Sequence, residues 1–301
     1  MLTTFIYGDT LSLALCLISV YFMMKYEENY KTRYFIYSLL AIIFAYMFRM
    51  NSLIFIIGTV IYMILNVVYN LKKDSYKKNG LQILVILIYI IISIMPTTII
   101  KNYYINKFGM DKEKSYPTIS YILIGMEKSW RANGWYNEKI AQKAISNPEI
   151  VKEEYIVKIK DRLKYFMHNL DYTFSFYTNK LASMWTENTY SAIRNNIGKN
   201  NKKINNWIFN LTLYQKAVLI LICICSIIVL IQNRKNLSLE LIFLISIFVG
   251  GFSFYVFWEA KSRYIIPYIV VLMPVASICI NTKGVHRVLV NKCMLRKNDI
   301  D

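Results

Sequence analysis

The amino-acid sequence predicts an all-α integral membrane protein, with about seven transmembrane helices and a folded, mainly helical extracytoplasmic segment. Composition is the first observation that predicts it, since 56% of the 301 residues are hydrophobic and soluble domains average roughly 45–50%. The second observation is the arrangement of the apolar residues along the chain. The apolar residues are gathered in runs close to the roughly 20 residues that cross a bilayer, whereas those of a soluble helix are dispersed by its period.

Seven apolar runs are candidate spans. They cover residues 10–24, 34–48, 52–70, 81–100, 211–231, 237–257 and 264–281. The second run has only about fifteen residues before Arg49, so we expect it to be tilted, re-entrant or paired irregularly with the third. The predicted domains are four transmembrane helices in 1–100, an extracytoplasmic helical segment in 101–210, three transmembrane helices in 211–282, and a basic cytoplasmic tail in 283–301.

The net charge is +18, and the placement of the basic residues in short loops predicts the orientation. In a soluble protein this net charge would suggest nucleic acid, but no nucleic-acid-binding motif is present, and membrane proteins carry such charge in loops beside anionic lipid. The basic residues follow spans one, three, five and seven: Lys25, Lys31, Arg33, Lys72, Lys73, Lys77, Lys78, Arg234, Lys235, Lys283, Arg287, Lys292, Arg296 and Lys297. Seven spans put all four groups on one side, which the positive-inside rule makes cytoplasmic. Segment 101–210 and the N-terminus then face outward.

The N-terminus shows no signal peptide, because the first seven residues contain no basic residue and Asp9 precedes the first apolar run. An outward N-terminus without a signal peptide is what remains when an odd number of spans lies upstream. We therefore expect that Met1 does not start the complete functional unit. The alternative is a short N-terminal tail that is translocated unaided.

The cysteines and histidines do not form a metal-binding pattern. Cys223 and Cys225 are spaced C-x-C rather than C-x-x-C within an apolar run, and His168 and His286 are far apart in sequence. Cysteines in apolar runs are typical of buried thiols. We therefore predict no metal site from these residues.

The outer segment is too long and too aromatic for a structureless linker. Asn147-Pro148-Glu149 predicts a helix start, with a capping side chain, proline at the first position and an acidic residue in the first turn. Apolar residues then recur at spacings of three and four: Val151, Tyr155, Ile159, Leu163 and Phe166. This face predicts packing on the rest of the segment or on the membrane surface, with an i,i+4 ion pair between Glu154 and Lys158 on the wet face.

Gly134-Trp135-Tyr136-Asn137 predicts a turn that exposes aromatic side chains. Trp135 and Tyr136 are therefore candidate contacts for a sugar or an acceptor. The alternative is that the two rings anchor the segment at the membrane interface.

Charged residues at the outer ends of the spans are the candidate site. Asp9, Arg49, Glu259, Lys261 and Arg263 all fall on the same rim when seven spans are counted. Snorkelling of basic side chains explains each alone. Together they predict a polar cleft in which arginine and lysine bind an anion such as a phosphate. Arg263 leads because it comes one residue before the next span, although it could instead pair with Glu259.

The segment from Trp258 to Tyr268, W-E-A-K-S-R-Y-I-I-P-Y, resembles the E-x-x-x-R-Y-x-x-P segment of bacterial membrane glycosyltransferases of the C-type fold, GT-C. Within them it is most similar to the family 39 and Rgt-like group. Three further stretches match in order: Tyr7-Gly8-Asp9-Thr10-Leu11, an acidic start of a span; Phe48-Arg49-Met50-Asn51-Ser52, an R-P-N break with methionine for proline; and Lys180-Leu181-Ala182-Ser183-Met184-Trp185, a K-x-x-x-x-W stretch.

The resemblance implies transfer of a sugar from a polyprenyl-phosphate carrier to an acceptor outside the cytoplasmic membrane. Arg263, Arg49 and Lys261 would bind the lipid phosphate, supported by Glu259 and Tyr264. Such enzymes carry an acidic residue, acting as general base or bound to a metal, in a first outer loop that has no counterpart before Asp9. The resemblance therefore carries no catalytic base onto this chain, and Asp9 is only a candidate carboxylate. An upstream-encoded N-terminal half is the expected partner, and a divalent cation is the candidate cofactor of the intact enzyme.

Three other functions stay open. A transporter or flippase for lipid-linked glycans would share the helices, but it favours charged or glycine-broken positions deep within spans. A polysaccharide polymerase or ligase would have more outer arginines than Arg131, Arg162 and Arg194. The last alternative is an inactive remnant of a transferase.

Overall fold

The computed structural model describes residues 8–70, 76–109, 115–187 and 202–280. These residues form α-helices and two short 3-10 turns, with no β-strand among them. The helices are α1 Gly8–Asn29, α2 Thr32–Phe48, α3 Leu53–Asn70, α4 Tyr76–Lys107, α5 Ile119–Met126, α6 Glu138–Ser146, α7 Pro148–His168, α8 Leu170–Trp185, α9 Lys202–Gln232, α10 Leu239–Phe257 and α11 Ile266–Ile280. The all-α prediction is confirmed. Tyr7, Lys72, Lys73, Arg194 and the basic tail 283–301 lie outside the described residues.

Six of the described helices are long and apolar enough to cross a membrane: α1, α3, α4, α9, α10 and α11. They correspond to six of the seven predicted spans, and the chain is a multi-pass membrane protein. The second predicted span is α2, a shorter apolar helix of 17 residues. A helix rises about 1.5 Å per residue, so α2 covers about 25 Å and falls short of a hydrocarbon core of about 30 Å.

Buried serines hold α1 against α2. Ser12 Oγ lies 2.7 Å from Ser52 Oγ, and Ser19 Oγ lies 3.0 Å from Ser38 Oγ. Small hydroxyl residues let two helices approach closely and bond to each other where water is absent. The pairing therefore fixes the start of α1 beside the end of α2, where the charged residues lie.

The chain breaks between α2 and α3 at Arg49. Arg49 is extended, with φ −151° and ψ 120°, and Met50–Ser52 form the first 3-10 turn before α3 begins. The break turns the chain back into the bundle and leaves the Arg49 side chain at its rim. Beyond it, α3 packs on α10 through a stacked pair, Tyr62 and Phe243, whose ring centroids are 4.5 Å apart.

Residues 115–187, within the predicted outer segment, fold as α5 to α8. As predicted, α7 begins at Pro148 and buries Val151, Tyr155 and Phe166. Leu163, predicted on the same face, is 40% exposed. The buried face of α7 packs chiefly on α5, so the helix belongs to a small helical cluster that caps the bundle.

One expected cap is wrong. The Asn147 side chain makes no capping hydrogen bond, because Asn147 also ends α6, where its backbone N–H donates to Lys143 O. Its φ of −137° and ψ of 62° serve the junction of two helices rather than a free helix start. The predicted ion pair on the wet face is confirmed, with Lys158 Nζ 2.9 Å from Glu154 Oε1.

Candidate functional site

One carboxylate lies between two guanidinium groups at one end of the bundle. Asp9 is in the first turn of α1, Arg49 lies at the α2–α3 break, and Arg263 lies in the second 3-10 turn, Ser262–Ile265. Arg49 donates from Nε and Nη2 to both carboxylate oxygens of Asp9. Arg263 Nε lies 3.8 Å from Asp9 Oδ2. Two cations around one anion leave this cluster with an excess of positive charge.

A second ion pair lies beside the first. Lys261 Nζ is 2.9 Å from Oε2 of Glu259, which is 1% exposed. Lys261 Nζ and Arg263 Cζ lie 5.5 Å and 5.6 Å from the centroid of the Tyr264 ring, so both cations contact one aromatic face or edge. The sequence left open a pairing of Arg263 with Glu259. In the structure Glu259 pairs with Lys261, and the carboxylate beside Arg263 is Asp9.

Two tyrosines connect the charged cluster to the bundle. Tyr255 on α10 is fully buried, and its hydroxyl accepts from Asn51 Nδ2 at 2.7 Å. The Tyr255 ring stacks on Tyr264 with centroids 5.5 Å apart. The α2–α3 break that positions Arg49 is thereby bonded to the helix that leads into the Trp258–Arg263 segment.

Lys180 connects α8 to the start of the Trp258–Arg263 segment. Its ammonium group donates to the carbonyls of Gly125 at 2.7 Å, Val256 at 2.7 Å and Trp258 at 2.8 Å. The last carbonyls of a helix lack partners within the helix, and a cation there is favoured by the helix dipole. Lys180 therefore caps α10. The side chain is 0% exposed, and burial lowers the pKa of its amine to about 7.

The sequence contained a signal for this role that went unused. Phe176, Lys180 and Met184 are all buried and recur at intervals of four on α8. A lysine on the buried face of a helix needs acceptors there, because an unpaired buried amine is costly. Sequence reasoning noted Lys180 only within the K-x-x-x-x-W resemblance.

Two glycines make room for this contact. A Cβ at Gly125 would lie 2.2 Å from Phe257 O and 2.6 Å from the Trp258 carbonyl carbon. Gly134 has a φ of +74°, which favours glycine, and its carbonyl accepts from Ala260 N at 2.7 Å. The outer segment therefore contacts the backbone of the Trp258–Arg263 segment directly.

Gly125→Ala is expected to lower the free energy of unfolding by about 1–3 kcal/mol, the usual cost of overpacking, because the new methyl group meets backbone atoms. Thermal unfolding in detergent measures this loss of stability. Gly80→Ala is the matched control, since a Cβ at Gly80 has nothing within 4 Å and alanine favours the helix. Equal unfolding midpoints for the two variants would contradict the close contact.

Trp135 is not exposed as predicted. Its side chain is 4% exposed, whereas Tyr136 is 44% exposed. A parallel bridge to Ala260 turns Trp135 inward, its Nε1 donates to Ser183 Oγ at 2.8 Å, and Arg131 Cζ covers its ring at 3.7 Å from the centroid. The expectation of an exposed ring is therefore wrong for Trp135, and Tyr136 is the aromatic side chain of this turn that faces out.

Glu187 is a carboxylate that sequence reasoning missed. It follows α8 directly, accepts a hydrogen bond from Ser262 Oγ, and lies 3.9 Å from Arg131 Nη2. Its place two residues after the K-x-x-x-x-W stretch was the available signal. Consecutive residues of the second 3-10 turn thus face different carboxylates, with Ser262 toward Glu187 and Arg263 toward Asp9.

The residues at this end do not fit a divalent cation. Asp9, Glu259 and Glu187 each contact a basic side chain, and they do not share one site. No group of three or more His, Cys, Asp or Glu side chains within the described ranges could hold a metal ion. We therefore derive no step through a metal.

Residues 1–99 match the family model of dolichyl-phosphate-mannose-protein mannosyltransferase. The matched stretch includes α1, α2 and α3 and most of α4, and so contains Asp9 and Arg49, while Lys261 and Arg263 lie beyond it. No curated protein and no solved structure matches the chain. The match covers about a third of the chain and shows that residues 1–99 are similar to that family, while the six apolar helices are those of a multi-pass membrane protein.

Proposed function

We propose that the chain acts in the transfer of a sugar from a polyprenyl-phosphate donor to an acceptor outside the cytoplasmic membrane. The observation that carries the proposal is the convergence of Arg49 and Arg263 on Asp9 at one end of the bundle. Guanidinium groups bind phosphate through paired, charge-assisted hydrogen bonds. A lipid phosphate at this end would lie beside apolar helices that its chain can follow.

Arg49 and Arg263 would act on the leaving group. In the transfer, an acceptor oxygen forms a bond to the anomeric carbon while the bond from that carbon to the phosphate oxygen breaks. The electron pair leaves with the lipid phosphate, and the acceptor proton goes to a base. Donors fixed where this charge develops lower the barrier. Lys261 would add positive charge near the phosphate, and its contacts with Glu259 and Tyr264 would hold the lysine side chain in place.

Asp9 positions the arginines in this proposal. Both of its carboxylate oxygens accept hydrogen bonds from Arg49, so Asp9 is occupied with holding a guanidinium group. When no phosphate is bound, Asp9 keeps the two like charges of Arg49 and Arg263 close together. An incoming phosphate can then take over one guanidinium without moving the helices. Tyr136, exposed beside this corner, is the candidate sugar or acceptor contact.

The charged end faces outward in this proposal. Arg33 at the α1–α2 turn and Arg234 at the α9–α10 turn lie at the opposite ends of their helices, in short loops whose basic residues favour the cytoplasm. Residues 101–210 are then extracytoplasmic and the C-terminus is cytoplasmic.

Binding of polyprenyl monophosphate, compared with the matching polyprenol, tests the proposal. The full chain in nanodiscs should bind the phosphate at least about tenfold more tightly, because one or more charge-assisted hydrogen bonds at about 1.5–3 kcal/mol each are added. Equal affinities would contradict the assignment of a phosphate site. Release of polyprenyl phosphate from a sugar-loaded donor, together with labelling of an acceptor, would distinguish a transferase from a transporter that binds the same lipid.

A further inference from the structure

A cavity lies beside the Ser262–Arg263 turn, next to Glu187. It has a volume of about 210 Å³ and lies between the end of α8, the middle of α9 and α11. Its walls are apolar and include Val218, Ile222 and Ile269. Glu187, which bonds to Ser262, is at its edge, so the cavity neighbours the charged cluster around Asp9 but has a different lining.

Two buried polar atoms in the cavity lining have no hydrogen-bond partner among the described residues. They are the indole N–H of Trp185, at the end of α8, and the amide oxygen of Gln215 on α9. Buried polar atoms in folded proteins are nearly always bonded, to protein or to something bound. One of these atoms donates and the other accepts. A hydroxyl group, which does both, satisfies the pair.

The remaining lining suits an anionic lipid. Lys216 lies next to Gln215 on α9, lines the cavity and is exposed. Both α9 and α11 are candidate membrane spans, so the apolar walls lie in the hydrocarbon region and the lysine can reach toward lipid phosphates by snorkelling. Glu187 is engaged by Ser262 and Arg131, which reduces its repulsion of an anion.

We propose that this cavity binds a glycerophospholipid with an anionic, hydroxyl-bearing headgroup, of the phosphatidylglycerol class. The headgroup hydroxyl lies between Trp185 Nε1 and Gln215 Oε1, the phosphate pairs with Lys216, and the acyl chains follow α9 and α11. A cavity of about 210 Å³ holds a headgroup and the first part of a chain rather than a whole lipid, and its open side lets the chains continue into the bilayer.

A lipid bound in this cavity would stabilise the packing around the Trp258–Arg263 segment. Trp185 also packs edge-on against Phe248 of α10, with centroids 5.9 Å apart, and Glu187 bonds to the turn before α11. An occupant that bonds to Trp185 therefore fixes the end of α8 against both helices that flank the Trp258–Arg263 segment. The lipid would bind here whether or not the chain transfers a sugar.

Native mass spectrometry of the full chain tests the site, with phosphatidylglycerol, phosphatidylcholine or polyprenyl phosphate as the added lipid. We expect phosphatidylglycerol to be retained at least about tenfold better than phosphatidylcholine, which lacks a headgroup hydroxyl and carries no net charge. The double variant Trp185→Phe/Gln215→Leu should lose about tenfold in phosphatidylglycerol retention, because it removes both polar atoms while it keeps an aromatic ring at position 185 and a side chain of similar size at position 215. Trp207→Phe is the control, since Trp207 is an exposed tryptophan of α9, the helix that also carries Gln215.

Misfolding is a separable outcome. Gln215→Leu removes a buried polar atom that has no partner and nearly keeps the side-chain volume, so this single variant, when delipidated, should unfold at or above the temperature of the unchanged protein. Equal retention of phosphatidylglycerol and phosphatidylcholine would overturn the proposal. The proposal would also be overturned if polyprenyl phosphate displaced phosphatidylglycerol at equal concentration from the unchanged protein but not from the double variant. The cavity would then be a binding site for the polyprenyl carrier.

Discussion

Lys180→Met is expected to release helices α5 to α8 from the end of α10. Methionine keeps the length and apolar stem of the lysine but removes all three donors, so the carbonyls of Gly125, Val256 and Trp258 lose their shared partner. A buried polar group left without a partner costs about 1–3 kcal/mol. With three carbonyls, we expect the free energy of unfolding to fall by about 3 kcal/mol or more.

Thermal unfolding in detergent and limited proteolysis within residues 101–187 measure this effect together. Cleavage should become faster in the outer segment before the transmembrane helices unfold, since Lys180 joins the two. Lys164→Met is the matched control, because Lys164 is an exposed lysine of the neighbouring helix α7 and such changes stay within about 0.5 kcal/mol. If both variants behaved like the unchanged protein, Lys180 would not be the link between the outer helices and the bundle.

The transmembrane part of this architecture could be predicted because it rests on local properties of the chain. The length of each apolar run gives a span, and the short run before Arg49 gave the shorter helix α2 and the break that follows it. Counting spans then placed Asp9, Arg49 and Arg263 at one end, where the structure brings them within ion-pair distance. Each of these inferences needs only residue type and order.

The outer corner could not be predicted in the same way. Lys180 bonds to backbone carbonyls 55, 76 and 78 residues away, and a backbone acceptor leaves no trace in residue type. Trp135 is buried by a bridge to Ala260, a partner that is still more distant in the sequence. Only the nearby K-x-x-x-x-W stretch pointed to Glu187, and its bond to Ser262 follows from the packing of α8 against the second 3-10 turn, which is distant in sequence.

Arg263→Gln is expected to weaken the binding of polyprenyl phosphate by about tenfold or more, because a charge-assisted hydrogen bond contributes about 1.5–3 kcal/mol and 1.4 kcal/mol is tenfold in affinity. Glutamine retains some hydrogen-bonding capacity but not the charge. Folding should be unaffected, since Arg49 still pairs with Asp9 through both carboxylate oxygens. Sugar transfer should fall further than binding if the guanidinium also stabilises the departing phosphate.

Arg234→Gln serves as the control for binding, because Arg234 is exposed at the opposite end of the bundle. Unchanged affinity in both variants would remove Arg263 from the phosphate site.

Variants at Lys261 distinguish a role in phosphate binding from a purely structural role in the Trp258–Arg263 segment. Lys261→Gln leaves the carboxylate of Glu259, which is 1% exposed, without its counter-charge, and loss of one partner of a buried pair costs about 3–5 kcal/mol. The single variant should therefore lower stability, and Glu259→Gln/Lys261→Gln should recover most of it. If the double variant is stable yet binds polyprenyl phosphate as weakly as Arg263→Gln, Lys261 contacts the phosphate. If it binds normally, Lys261 only neutralises Glu259, and the phosphate site reduces to the two arginines around Asp9.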